Sequence, residues 1–401
     1  MTCHYSRRVW KFVWILPLFG ILVFVHKYVS SKTVEHLLKK HDIPNVGYVK
    51  DYNVRRDKNR TSVSLPTPVI VISYQRSGST FVGNILRLNG DVFYFFEPLH
   101  FLLNGYKKLH YLDLQKKRSF DTFLTAAEFV IRNVITCKFQ PLPLEFWEVL
   151  FYPETIQGYQ LTSFYQKFQS EVERRYSHPS MFENVLVTLE NTCKSSKTVI
   201  IKTIRTPLFL LRDLLSSLEN LKIIHLIRDP RATISSQIYF GNVFNSTADH
   251  AYNFCTRVYN DVTTFDIFSV YYPSNLIRLM YESLAINPLK ISKDLYAFLN
   301  IIFSNTVANS VQRMTSSNVS QLYPMFPLKT ANSTQLKNRW RLDSTVKFVM
   351  DVDSQCYDLY QKLGYIPVSS EDMLRNLSIP LFAQNEKTSQ FRFGHEIPTL
   401  K

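Results

Sequence analysis

At 401 residues, with 45% apolar and 14% aromatic content, the chain can bury one large core or two modest ones, and it is too apolar to be disordered. The net charge is +15, but residues 1–60 carry 12 Lys and Arg against 4 Asp and Glu, which leaves about +7 on the remaining 341 residues. A body that mildly basic suits anionic ligands and lacks the concentrated charge of a nucleic-acid binder, so nucleic acid is not an expected partner.

Arg7, Arg8 and Lys11 precede an uncharged apolar run, Phe12 to Val25, of 14 residues, or 17 if the run starts at Val9 and Lys11 reaches back to the interface. This length lies between a signal-peptide core and a membrane span. The run ends in His26, Lys27 and Tyr28 without a small-x-small cleavage site. The reading is a cytoplasmic tail over 1–8 and a signal-anchor helix over 9–29, with a cleaved signal as the alternative. Basic residues before the span place the remainder on the lumenal side, a type II arrangement. Residues 30–68 are polar and aperiodic, a stem that Pro66 and Pro68 close, and 69–401 is the lumenal domain. Sequons at Asn59, Asn245, Asn318, Asn332 and Asn376 all lie past the span, as do Cys137, Cys193, Cys255 and Cys356. Those four cysteines can pair in three ways. No Cys-x-x-Cys occurs among them, which speaks against zinc.

Val69 to Ile72 are β-branched and apolar, as a strand buried on both faces requires. Gln75-Arg76-Ser77-Gly78-Ser79-Thr80 interrupts the pattern, and Phe81, Val82, Ile85, Leu86 and Leu88 then recur at helical spacing. A strand, a small polar loop and a helix turn backbone amides and a helix N-terminus toward one point, where an anion belongs. Gly78 admits close approach, Ser77, Ser79 and Thr80 add hydroxyls, and Arg76 adds a forked cation.

Further strands are expected at Asp91–Phe96, Thr198–Ile201, Lys222–Ile227 and Leu276–Met280, with helices over about 120–135, to about 240 and over about 289–300. Strands alternating with helices imply an α/β fold with an open parallel sheet, its ligands at the carboxyl ends of the strands. The fourth strand runs into Arg228-Asp229-Pro230-Arg231, with Ser236 eight residues after Arg228. A purely structural reading makes Asp229 a helix cap and leaves Arg231 in solvent.

Arg76-Ser77-Gly78-Ser79-Thr80-Phe81 after the first strand, with Arg228 and Ser236 after the fourth, resembles the sulfotransferases that use 3′-phosphoadenosine 5′-phosphosulfate (PAPS). Within them the chain is similar to the Golgi carbohydrate 6-O-sulfotransferases. Phe96-Glu97-Pro98-Leu99, Lys202 with Arg205, Tyr281-Glu282-Ser283-Leu284, Trp340-Arg341 and Leu363-Gly364-Tyr365 also match. The likeness covers about 69–100 and 196–367, is weak over 101–195, and stops after Pro367. Tyr74-Gln75 departs from the Thr-Trp expected before the arginine.

The resemblance implies a P-loop-like core in which residues 76–81 hold the 5′-phosphosulfate of PAPS, and Arg228 and Ser236 hold its 3′-phosphate. The acceptor would be a glycan on a glycoprotein or proteoglycan, and the compartment the Golgi lumen. Sulfuryl transfer needs positioning, charge stabilisation on the leaving oxygen, for which Arg76 is placed, and a base for the acceptor hydroxyl. Glu97 resembles the family's proposed base, His100 competes with it, and no metal is called for. Lys202 and Arg205 either orient anions or are solvated strand-end charges, and Trp340 is either core or an acceptor platform. A homo-oligomer is left open. A P-loop kinase would need Gly-x-x-x-x-Gly-Lys-Ser/Thr, which is absent. A non-catalytic glycan-binding relative has no evident reason to keep Arg76, Glu97, Arg228 and Ser236 together.

Overall fold

The computed structural model describes residues 65–111, 120–150, 179–241, 246–315 and 333–383. The expected tail, anchor and most of the stem therefore lie outside the described residues, as do Asn59, Asn245, Asn318 and Asn332. Asn376 is described and exposed. Among the described residues no helix is long and apolar enough to cross a membrane.

Five strands form one parallel sheet in the order β2-β3-β1-β4-β5: β1 Thr67–Ile72, β2 Val92–Phe96, β3 Thr198–Thr203, β4 Lys222–Ile227 and β5 Leu276–Met280. The period-2 alternation of a strand sorts the side chains. Ile70, Ile72, Phe93, Phe95, Val199 and Ile201 pack on one face, and Val69, Val71, Val92, Tyr94, Ile200 and Leu226 on the other. Both faces are covered, which is why these strands read as continuous apolar runs. Helix α1 (Ser79–Leu86) and the helix Pro288–Phe298 cover the second face. Helix α2 (Phe123–Ile135) and the end of the long helix α3 (Thr247–Tyr271) cover the first.

Helix α1 approaches β2 closely at Gly83, where a built Cβ would lie 2.0 Å from the Tyr94 hydroxyl. The pairing that sequence left open is Cys137–Cys193 and Cys255–Cys356. The second bridge ties α3 to the C-terminal helices. Beyond Pro367, where the family likeness ends, the chain packs back: Val368, Leu374 and Leu381 surround Trp340, and Tyr365 bridges to Phe382. Trp340 is thus core and not an acceptor platform.

Candidate active site

The loops leaving β1 and β4 meet at the carboxyl edge of the sheet. Gly78 is the N-cap of α1 with φ +91°, and Arg76 has φ +67°, a left-handed conformation uncommon for a side-chain-bearing residue. A Cβ on Gly78 would fall 2.4 Å from the Tyr281 ring, so glycine is required for space as well as for conformation. Ser77 is fully buried. Its amide (3.1 Å) and hydroxyl (2.7 Å) both donate to the Tyr74 carbonyl, and its oxygen accepts from the Tyr74 amide. Ser77 therefore shapes the loop, while the Ser79 and Thr80 amides in the first turn of α1 have no earlier turn to donate into.

Arg76 reaches across to helix α4 (Pro230–Tyr239), where its Nε donates to Ser236 Oγ at 3.0 Å, and its guanidinium lies 3.8 Å over the Phe240 ring. Arg228, at the exit of β4, donates to the Arg76 carbonyl at 3.0 Å and lies 4.6 Å from the Tyr281 ring centre. Arg228 Nε is buried with no hydrogen-bond partner among the described residues. Burial, then the Arg228 charge, lower the pKa of Arg76 below the ordinary guanidinium range. Among the described residues, neither arginine lies within salt-bridge distance of a carboxylate. Two facing cations and an unpartnered buried donor fit a phosphorylated ligand.

The exits of β2 and β3 form the other half of the edge. Glu97 is also left-handed, with φ +51°, and is buried. Its Oε1 accepts from Lys202 Nζ at 2.6 Å, and its Oε2 accepts from Arg205 and from the Ile204 amide. Burial alone would raise the carboxyl's pKa, but the two cations outweigh it and hold the group below the carboxylate range. Neither Lys202 nor Arg205 is a solvated strand-end charge: Lys202 is buried and the Arg205 side chain is four-fifths shielded. His100 begins the 3-10 turn His100–Asn104, and its amide donates to the Glu97 carbonyl at 3.0 Å. Burial and the Arg205 charge push its pKa down and favour neutral imidazole. Among the described residues no three or more His, Cys, Asp or Glu side chains are grouped to hold a metal ion.

The sulfotransferase domain family matches residues 66–357, most of the described body. The chain belongs to this family. This sulfotransferase is similar to carbohydrate sulfotransferase 1 of Homo sapiens, 26% identical over 364 residues that cover 81% of this chain and 85% of that one. Carbohydrate sulfotransferase 6 of Homo sapiens is 26% identical over 356 residues, covering 78% and 84%. Among solved structures, mouse sulfotransferase SULT7A1 complexed with PAP aligns at 14% identity over 78% of this chain and 87% of that one, with a TM-score of 0.39. That overlap is too loose to carry an argument, so the assignment rests on the family match.

Three features of the sulfotransferase site escape sequence reasoning. Arg231 is not in solvent. It is fully buried between Trp340 and Tyr360, paired to Asp229 at 2.9 Å, and donates to the Ile366 carbonyl at 2.8 Å. Asp229 does cap α4, by accepting from the Arg231 amide. Second, the departure at Tyr74 is structural: its hydroxyl joins Asp261 Oδ2 (2.9 Å) and His225 Nε2 (2.8 Å). Asp261 as a carboxylate only accepts, so Tyr74 donates to it and accepts from an Nε2–H of His225. His225 Nδ1 is then left as an acceptor, which agrees with its having no partner among the described residues. Third, Arg257 on α3 donates to the Ile204 carbonyl at 2.7 Å and so braces the Lys202–Arg205 turn. Buried Tyr, His and Asp at separated positions give no spacing signal, so only the β-branched run of β4 around His225 hinted that it is internal.

Proposed function

We propose that the chain transfers a sulfuryl group from PAPS to a hydroxyl of a glycan, the 6-hydroxyl of N-acetylglucosamine, galactose or N-acetylgalactosamine. The observation that carries this reading is the clasp of Arg76 and Arg228, two cations with no carboxylate between them among the described residues, at a helix N-terminus. Arg76, Gly78, Ser79, Thr80 and Phe81 would surround the 5′-phosphosulfate, with Ser77 holding the loop in shape. Arg228 and Ser236 would hold the 3′-phosphate. When bound, PAPS would supply the sulfuryl group, and its 5′-phosphate would keep the bridging oxygen and depart as PAP. Arg76 and the loop amides stabilise the charge that grows on the leaving oxygen.

Glu97 is the base in this reading. Lys202 and Arg205 keep it ionised, and an anion arriving beside them competes for their charge and raises the carboxylate's proton affinity. His100 is the second reading, favoured by its neutral imidazole and its place one turn from Glu97. The two disulfides and the sequons are in keeping with a lumenal enzyme on a type II anchor in the Golgi. The test is turnover of labelled PAPS on desulfated keratan, desulfated chondroitin and mucin-type oligosaccharides, with affinity for 3′-phosphoadenosine 5′-phosphate (PAP) measured by calorimetry. Absence of PAP affinity removes the cofactor assignment, and PAP affinity without transfer to any of the three acceptors removes the acceptor class.

A further inference from the structure

Helix α4 ends in three consecutive apolar residues that the fold leaves open. Ile238 is 38%, Tyr239 84% and Phe240 53% exposed. A run of this kind on a helix end is a fault unless it meets something. The packing fixes what lies beside it. Ser236 and Phe240 are four residues apart, hence on one face, and both touch Arg76, through the 3.0 Å hydrogen bond and the 3.8 Å ring contact. The preceding turn is anchored to the same loop: Gln237 Nε2 donates to the Gln75 carbonyl at 2.7 Å, and Gln237 Oε1 meets His250 Nε2 at 2.6 Å. Tyr239 packs edge-on against Phe240 with ring centres 5.1 Å apart, so the two rings form a step that starts at Arg76 and runs outward.

We propose that the Tyr239–Phe240 step is the platform on which a pyranose of the acceptor glycan lies. The inference rests on the sulfuryl-transfer reading and deepens it. An acceptor hydroxyl that attacks sulfur beside Arg76 must bring its sugar ring within a few ångströms of that guanidinium, and Phe240 is in contact with it. A pyranose has an apolar C–H face and a hydroxyl-bearing edge. The step matches both, with two ring surfaces and the phenol of Tyr239. Phe240 also shields Arg76, so the informative position is Tyr239, whose ring meets only the Phe240 ring among the described residues.

The test uses the full chain. Tyr239→Ala is expected to raise the acceptor KM about three- to tenfold, the range an aromatic contact supplies. The KM for PAPS and the affinity for PAP stay at the wild-type values, and Tyr239→Trp restores the acceptor KM. Saturation-transfer NMR of a desulfated keratan oligosaccharide with the PAP-loaded chain reports binding independently of turnover. If the wild type binds the glycan without sulfating it, and Tyr239→Ala abolishes binding, the platform stands and the activity reading falls. If the wild type turns over and Tyr239→Ala leaves the acceptor KM unchanged, the platform falls and the activity stands. A variant that instead loses binding to phosphatidylcholine–phosphatidylserine vesicles, with unchanged acceptor KM, makes the patch a membrane face and overturns the proposal. If the wild type neither binds nor sulfates any glycan, both readings fall.

Discussion

Two pairs of cations stand along the same sheet edge, and the fold treats them oppositely. At the exits of β1 and β4, Arg76 and Arg228 face each other with no carboxylate in salt-bridge reach among the described residues. At the exits of β2 and β3, Lys202 and Arg205 share Glu97, whose two oxygens are both occupied. On the proposed function, the first half is completed by the phosphates of the cofactor. The second already sets one carboxylate against its two cations, so it is half neutralised from within and an arriving anion competes with Glu97 for them. Affinity should therefore reside in the first half and control of a proton in the second.

The largest expected effect breaks the second half. Glu97→Gln keeps the shape but cannot take a proton near neutral pH, so turnover should fall by about 10²–10⁴-fold while PAP still binds. His100→Ala should cost less. The reverse ranking in steady-state assays would hand the base to His100. Loss of PAP affinity in both variants would point to a folding defect.

Arg231 supplies the contrast within one turn, three residues from Arg228. Removing it leaves Asp229 and Asp353 buried without their partner. Arg231→Met should cost about 3–5 kcal/mol of stability in urea denaturation. Arg228→Ala or Ser236→Ala should act on the ligand instead and weaken PAP binding by roughly one to two decades, the worth of a hydrogen bond to a charged group. Unchanged calorimetric affinity in both would dissolve the distinction between the halves.

These outcomes also mark how far the sequence was legible. β1 and β3 were readable because a sheet buried on both faces leaves unbroken β-branched runs, β4 and β5 because they are short, mostly apolar stretches, and the anion loop because glycine and hydroxyls interrupt one of these runs. Charge balance was not readable. Arg228 and Arg231 are the same residue type in one motif, and only the packing of Trp340, Tyr360 and residues 365–383 makes one a ligand candidate and the other a structural member. Glu97 and Arg205 are 108 positions apart, and no local pattern announces their pairing. The same holds for Ser77, whose hydroxyl reads as an anion donor but is turned inward by Tyr74.

The smallest effect lies behind Arg228. Glu282 accepts from the Asp229 amide at 2.8 Å, and burial together with the Asp229 charge raises its pKa from 4.5 to about 7. The native state thus holds a proton that the unfolded chain releases. Stability should fall as pH rises from about 4.5, with the loss complete once pH passes about 7. Thermal melts between pH 6 and pH 8 should show a drop of roughly 2–4 °C, by the scale on which about 1 kcal/mol moves a body of this size. Glu282→Gln should flatten that slope, and an equal slope in the variant would move its origin to another group.

The central position of β1 has a consequence in time. Among the described strands it is the first made, yet Thr67 pairs with Thr198 and Val69 with Lys222. At a synthesis rate of about 5–20 residues per second, roughly 7–30 s pass before either neighbour exists. For that interval Val69 to Ile72 is a bare, β-branched segment with both edges open, the kind of sequence that adds to foreign strands. Slowing synthesis between residues 72 and 198 should therefore lower the yield of folded chain.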